Sequence, residues 1–258
     1  MTTTLAFPAL LRLLDERSSA FRAAVASAPD LDAQVPSCPE WTLFDLAEHI
    51  GEGRRAWAAT VAAGPAPAKS AGEGPLTAPR EREALVAWLA QSTERLLDAL
   101  REAGPDRVCW TWWGASQSPV NCGAVARHQL QQMAVHTYDA QLTAGAPEPL
   151  PVEVALDGVE EFLFTCIATP SAWPHKPTAF DFHATEGRSW RLTLDGDGAR
   201  SARIPGPGTT PVAAPGVSVH GTAGELVLFV YDRIPADSVR IEGDAGLFDL
   251  LREWEPEE

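Results

Sequence analysis

Residues 127–139 read Arg-His-Gln-Leu-Gln-Gln-Met-Ala-Val-His-Thr-Tyr-Asp, which sets His128, Gln132 and His136 at i, i+4 and i+8 of one predicted helix. Side chains at that spacing form a single stripe that drifts by about 40° per step. A helix presents successive side chains to one ion in this way, and neutral imidazole is a good ligand for Zn, Ni, Cu or Fe. One helix seldom supplies a complete ligand set, so a ligand from a facing helix is needed. His49, within Ala47-Glu48-His49-Ile50, is the other histidine of the first half of the chain. Asp139 follows His136 by about one turn and could orient a histidine ring, or equally serve in a salt bridge or in helix packing. Spacing alone leaves two readings open, because paired histidines on a helix are more often surface or hydrogen-bonded core residues than ligands.

Other residues carry weaker signals. Cys38 sits beside a predicted helix N-terminus, where the helix dipole lowers a thiol pKa, although a half-buried residue near a cap is the plainer reading. Trp110, Trp112 and Trp113 could wall a pocket for an apolar or aromatic ligand, or pack a loop onto the end of the helices. His175, His183 and His220 have no ligand spacing and read as structural. A nucleophile elbow, a phosphate-binding loop and a dinucleotide fingerprint are all missing from the sequence.

The elements that must position these residues follow from periodicity and punctuation. Leu5, Leu11, Leu14, Phe21 and Val25 recur at helical spacing over 5–27, ahead of Pro29. Ser37-x-x-Glu40, with Pro39 inside the start, reads as a capping box opening a second helix that runs through Leu43, Leu46, Ile50 and Trp57 to about Ala63. A proline- and glycine-rich connector spans 64–79, a third helix covers about 80–103, and a fourth about 121–143. Four helices of similar length suit an antiparallel bundle with a site between facing helices. Residues 144–151, Ala-Gly-Ala-Pro-Glu-Pro-Leu-Pro, mark the domain boundary. Beyond it, 152–168 reads as helix, and FDFHA, SWRLTL, ARSARI, VSVHG and SVRIEG read as strands. Thr222-x-x-Glu225 caps another helix, and GDAGLFDLLREW reads as a last one before a short acidic end.

Composition bounds the function. The chain has 258 residues, 45% of them hydrophobic, with nine Trp and nine Phe, enough for buried cores in two domains. A net charge of −15 without basic clusters argues against nucleic acid and anionic lipid as partners. The N-terminus lacks the features of a signal peptide, no run reaches the about 20 apolar residues of a membrane span, and four scattered cysteines read as reduced thiols. The expected setting is cytoplasmic, with a small molecule as partner and a monomer or homodimer as the assembly.

Three segments carry a family resemblance. They are Val35-Pro36-Ser37-Cys38-Pro39-Glu40-Trp41-Thr42 with the following Leu46-Ala47-Glu48-His49; Met133 to Ala140, with His136, Thr137, Tyr138 and Asp139; and Val219-His220-Gly221-Thr222-Ala223-Gly224-Glu225-Leu226-Val227-Leu228-Phe229. In this order they resemble the mycothiol-dependent maleylpyruvate isomerase-like proteins, part of the wider DinB-like metalloenzyme group, over nearly the whole chain. The resemblance implies an α plus α/β two-domain architecture. A DinB-like antiparallel four-helix bundle would occupy 1–146 and carry the metal and thiol site. A small α+β domain similar to sterol-carrier domains would occupy 147–258.

The resemblance also implies a divalent metal, typically zinc, held by a histidine of the second helix and a Glu-x-x-x-His pair of the fourth. Carried onto this sequence, the ligands are His49, Gln132 and His136. Zinc with an open position would turn mycothiol or another low-molecular-weight thiol into a nucleophile at neutral pH. The implied activity is isomerisation or S-transfer on a small electrophile. Trp113, Asp139 and Arg233 are the further residues expected around the pocket, Arg233 because it falls where the family places an arginine. The departure is position 132, where Gln stands in place of Glu and the site loses a negative charge. Gln132 either still coordinates through its amide oxygen, or is replaced by Glu48 or by His128, which lies about 12 Å along the helix from His136, or the metal is lost. The last case leaves a metal-free small-molecule-binding or regulatory protein.

Overall fold

The computed structural model describes residues 5–66, 77–205 and 214–254. Most of the predicted connector at 64–79 and the whole acidic end at 255–258 lie outside the described residues. The chain divides into two compact units, Met1–Gly114 with Pro119–Leu150, and Ala115–Ser118 with Pro151–Glu258.

Four long helices build the first unit. Helix α1 (Phe7–Ser27) has Pro8 in its first turn, buries Leu10, Leu11, Leu14, Phe21 and Val25, and stops at Ala28 ahead of Pro29, which disfavours helical geometry in its predecessor. Strands β1 (Gln34–Val35) and β2 (Cys38–Thr42) pair antiparallel before α2 (Leu43–Ala63) begins. The capping box expected at Ser37 and Glu40 is therefore not used. Pro36 and Pro39 hold Val35 and Cys38 in extended backbone, so the segment pairs as a ribbon. The helix starts five residues later, at a second box. Thr42 Oγ1 accepts from the Asp45 amide at 3.2 Å, and Asp45 accepts from the Thr42 amide at 2.8 Å. The Leu43 and Phe44 amides donate to the carbonyls of Ala33 and Leu31, which satisfies two more donors of the first turn.

Helix α3 (Arg82–Ala103) is capped by the Glu81 carboxylate and closes at Gly104, whose φ of 72° suits glycine. Helix α4 (Cys122–Thr143) is capped by Asn121, which accepts from the Ala124 amide at 2.9 Å. Helix α1 packs chiefly on α4 and α2 on α3, with further contacts between α1 and α3 and between α2 and α4. At Gly51 a Cβ would stand 1.8 Å from the Trp88 ring, so glycine sets the close approach of α2 and α3. Helix α4 buries residues all round, among them Gln129, Gln131 and Asp139, whose polar groups need partners inside the protein.

The second unit is mixed. Helix α5 (Val152–Glu161) continues as a wider π-helical turn, Phe162–Ile167. Five strands follow as one sheet in the order β5-β4-β3-β6-β7: β3 (Thr178–Ala184), β4 (Ser189–Asp195), β5 (Gly198–Arg203), β6 (Val217–Gly221) and β7 (Arg240–Gly243). All neighbours are antiparallel except β3 and β6, which run parallel with α6 (Ala223–Val230) packed on both. Residues of β4 alternate between buried and half-buried. Phe180 lies opposite Leu192 and Phe182 opposite Trp190, and all four side chains enter the core with Phe229 and Phe248. The capping box at Thr222 and Glu225 forms as expected, and α7 (Gly246–Glu253) is the last described helix. No described helix is long and apolar enough to cross a membrane.

Candidate metal and thiol site

Helices α2 and α4 bring His49 and His136 together, with ring centroids 5.6 Å apart and the rings edge to face at 77°. On its other side His49 meets the Trp41 ring at 4.8 Å. Trp41 stands at the end of β2, one residue before the cap of α2, so the proline-held ribbon is what carries it onto the histidine. His136 Nδ1 lies 3.0 Å from Asp139 Oδ2, and Ser37 Oγ donates to Asp139 Oδ1 at 2.5 Å. A buried carboxylate accepting from Nδ1–H leaves the lone pair on Nε2 of His136. Burial, and secondly the neighbouring His136, hold the His49 imidazole below its ordinary pKa, so its neutral form is favoured.

A cavity of about 120 Å³ adjoins His49, which lines it with Gly53, Arg54, Trp57, Gln129 and Gln132 together with Ile50 and Met133. Gln132 Oε1 accepts from Gln129 Nε2 at 3.4 Å. Arg54 is only 3% exposed, and its Nε and Nη1 find no hydrogen-bond partner among the described residues. Burial, then the charge of Arg22, lower its pKa to about 9, which still leaves it cationic at neutral pH.

Trp57 continues into an aromatic cluster. It lies 5.6 Å from the Trp113 ring, and His128 sits among Trp57, Trp112 and Trp113 at 6.3, 5.5 and 5.0 Å. Trp113 is buried and donates through Nε1 to the Pro119 carbonyl at 3.1 Å.

Donor chemistry fits a divalent ion at two of three positions. Burial favours the neutral form of His49, and His136 is oriented by a carboxylate, as metal-bound histidines are. Gln132 borders the same cavity and offers only an amide oxygen. Among the described residues no third imidazole, thiol or carboxylate joins the two histidines within ligand distance.

Two family domains match the sequence: the mycothiol maleylpyruvate isomerase N-terminal domain over residues 11–141, and the MDMPI C-terminal domain over residues 153–250. The chain belongs to the mycothiol-dependent maleylpyruvate isomerase family. The crystal structure of the mycothiol-dependent maleylpyruvate isomerase is similar in fold at 17% identity, with a TM-score of 0.58 over 95% of this chain and 98% of that one. A histidine-to-alanine mutant of that protein matches at 16% identity, also with a TM-score of 0.58 and the same coverage. No curated protein matches the chain by sequence.

In this member of the maleylpyruvate isomerase family, His49 and His136 meet, Asp139 adjoins His136, and Gln132 shares a cavity with His49. The other two predicted residues, Trp113 and Arg233, make contacts within their own units. Trp113 is packed behind Trp57 and does not line the cavity. Arg233, in the second unit, donates to the Tyr231 carbonyl at 2.6 Å. His128 is enclosed by tryptophans rather than facing His136. Sequence reasoning missed Trp41, Gln129, Arg54 and the role of Ser37. A signal existed for Arg54, since Ala47, Ile50, Arg54 and Val61 follow one buried helical face and a cation there needs a reason.

Proposed function

We propose that this chain is a thiol-dependent isomerase or S-transferase acting on a small electrophile. His49 and His136 would hold a divalent metal, zinc being the ion best suited to the donors, with Gln132 as a weak third ligand. The observation that carries this reading is the chain of contacts Ser37–Asp139–His136–His49 at the border of a cavity. When bound, such an ion would stabilise the thiolate of mycothiol or a similar low-molecular-weight thiol at neutral pH. The protein's own residues do the rest. Asp139 fixes the His136 ring and its tautomer, and Ser37 fixes Asp139. Trp41 limits the His49 ring and keeps water from one face. The cavity beside Gln132 and Trp57 receives the electrophile. In this reading the DinB-like bundle domain, 1–146, houses the chemistry, the α+β domain, 147–258, completes the fold, and the setting is cytoplasmic.

The neutral amide of Gln132 favours a second reading, a metal-free small-molecule-binding or regulatory protein of the same family. One titration separates them. Zinc is added to chelator-treated protein, bound metal is counted, and a small thiol is then titrated while thiolate absorbance is followed. The enzyme reading expects about one zinc per chain, lost in His49→Ala and His136→Ala, and a zinc-dependent thiolate signal. Less than about a tenth of an equivalent of zinc, with Gln132→Glu restoring a full one, establishes the second reading.

A further inference from the structure

The second unit holds a cavity of about 320 Å³ that the chemistry at His49 does not use, lined wholly by residues of that unit. Folded interiors pack like organic crystals and leave few voids larger than a water. Small-molecule pockets, by contrast, begin at roughly 300 Å³. The wide turn after α5 supplies Phe162, Leu163, Cys166 and Ile167 to the wall, a spacing that a π-helical turn brings to one side. Such turns are rare and recur at functional sites. Strand β3 gives Phe182, the end of α6 gives Phe229 and Val230, and α7 gives Phe248 and Leu251, with Trp254 after it. Phe162, Ile167, Val230, Leu251 and Trp254 are apolar yet only half-buried, so incompletely covered side chains gather around one concavity. Helix α7 has eight residues and no side-chain cap, so packing on this wall holds it rather than intrinsic helicity.

Charge is confined to the rim. Exposed Asp232 is the non-glycine residue with positive φ, 55°, among the described residues, and it accepts from Arg252 Nε at 2.7 Å. Arg252 also lies 3.6 Å from Asp249, with its guanidinium carbon 5.3 Å from the centre of the Phe229 ring. Two carboxylates around one guanidinium leave the rim negative, which opposes an anion. The rest of the wall is apolar save the Cys166 thiol, which burial and then Glu161 hold well above its ordinary pKa and so uncharged. A charged body would lose its hydration there without gaining a partner. A hydroxyl at the rim, however, can donate to the Asp232 carboxylate and accept from the Arg252 guanidinium. The phenylalanines and Trp254 favour a flat aromatic body, which packs by offset stacking or edge to face.

We propose that this cavity is a ligand site of the second unit for an uncharged aromatic alcohol, with the ring among the phenylalanines and the hydroxyl between Asp232 and Arg252. The site needs neither metal nor thiol and gives the α+β domain a binding role of its own.

The test uses the full chain free of metal and thiol, at pH 7.5. The probes are 2-naphthol, whose phenolic hydroxyl keeps its proton at that pH, and 2-naphthoate, which is anionic there. Calorimetry measures affinity, and hydrogen exchange read by mass spectrometry locates the bound probe. The proposal expects saturable 2-naphthol binding, about tenfold or more weaker binding of 2-naphthoate, and slower exchange of the amides of 162–167 and 246–253. Leu251→Trp fills the cavity and weakens 2-naphthol binding by about tenfold or more. Cys166→Phe does the same from the opposite wall should the first variant fail to fold. Asp232→Asn keeps a residue type that tolerates positive φ but removes a repelling carboxylate, so the preference for 2-naphthol shrinks by about twofold to fivefold. Absence of saturable binding, protection confined to other segments, or undiminished binding in a folded filling variant overturns the site. Equal affinity for the two probes, or an unchanged preference in Asp232→Asn, overturns the assignment to an uncharged alcohol. Because neither zinc nor thiol is present, a failure here is distinct from a failure of the thiol chemistry.

Discussion

At the scale of single residues, the site depends on what orients His136. Asp139 is fully buried and accepts two hydrogen bonds, from His136 and from Ser37. Asn at 139 keeps the shape but has one acceptor oxygen, so it serves His136 or Ser37 and turns an NH₂ toward the other. Asp139→Asn is therefore expected to weaken zinc binding by about 10–100-fold, the usual effect of removing a carboxylate behind a metal-bound histidine. Competition with a chromophoric chelator measures it, and unchanged affinity would show that His136 does not act through Asp139. Ser37→Ala should follow in the same direction with a smaller effect, since Asp139 keeps its bond to His136. Much of this was legible. Two histidines on neighbouring helices and an acid one turn after the second are visible as residue types and spacing. Ser37 was not, because a serine three residues before a glutamate has the same pattern whether it caps a helix or reaches a carboxylate 102 positions away. Arg54 was overlooked because arginine on a helix is ordinarily read as a solvated face.

At the scale of elements, the second helix decides where His49 and Trp41 stand. Its start is set by Thr42 and Asp45 and by two prolines that keep the preceding ribbon extended. Thr42→Ala removes the cap and is expected to cost about 1 kcal/mol of stability, measured as a shift in the urea midpoint at constant slope. Ser37→Ala caps nothing but takes a donor from the buried Asp139 carboxylate, so it too should lower the midpoint, by the equivalent of about 1–3 kcal/mol, and unlike Thr42→Ala it should also loosen the zinc site. Midpoint and zinc affinity together thus separate the observed cap from the one that the Ser37-x-x-Glu40 spacing suggests. Gly51 fixes the lateral position of the same helix against Trp88. Gly51→Ala gains intrinsic helix propensity but forces a methyl group into the indole. Overpacking of that kind costs about 1–3 kcal/mol, so the expected outcome is net destabilisation with a displaced His49, seen as a lower urea midpoint together with weaker zinc binding. A midpoint that rises would mean that Trp88 moves aside without cost. Helix spans were readable from apolar period and punctuation. The exact start of α2 was not, because two capping patterns lie five residues apart and only pairing with Gln34–Val35 chooses between them.

At the scale of the whole molecule, each unit holds a pair of histidines, and acid acts on both. In the second unit His183 and His220 stack at 4.6 Å on the parallel strands β3 and β6, where they lie directly opposite. Burial first, then His220, lower the pKa of His183, with Arg191 adding to them and Asp181 and Glu242 opposing. His49 is shifted in the same direction for the same leading reason. In the unfolded chain these imidazoles take up protons near the ordinary value of 6.5, while the folded protein resists until lower pH. Between those points the unfolded state binds more protons, so stability rises with pH there and is lost as pH falls through and below 6.5. The expected result is a lower urea midpoint at pH 5.5 than at pH 7.5 in metal-free protein. His183→Gln replaces the titrating ring with a neutral side chain that can still bond Ser189, now 2.8 Å from His183 Nδ1. It should flatten the acid slope for the second unit, followed through Trp190, which is buried in its core. If the variant keeps the full slope, the acid loss belongs to the first unit and to His49. If wild type shows no slope, the Glu242 carboxylate, 3.4 Å from His220 Nε2, compensates the incoming charge and the stacked pair is indifferent to acid.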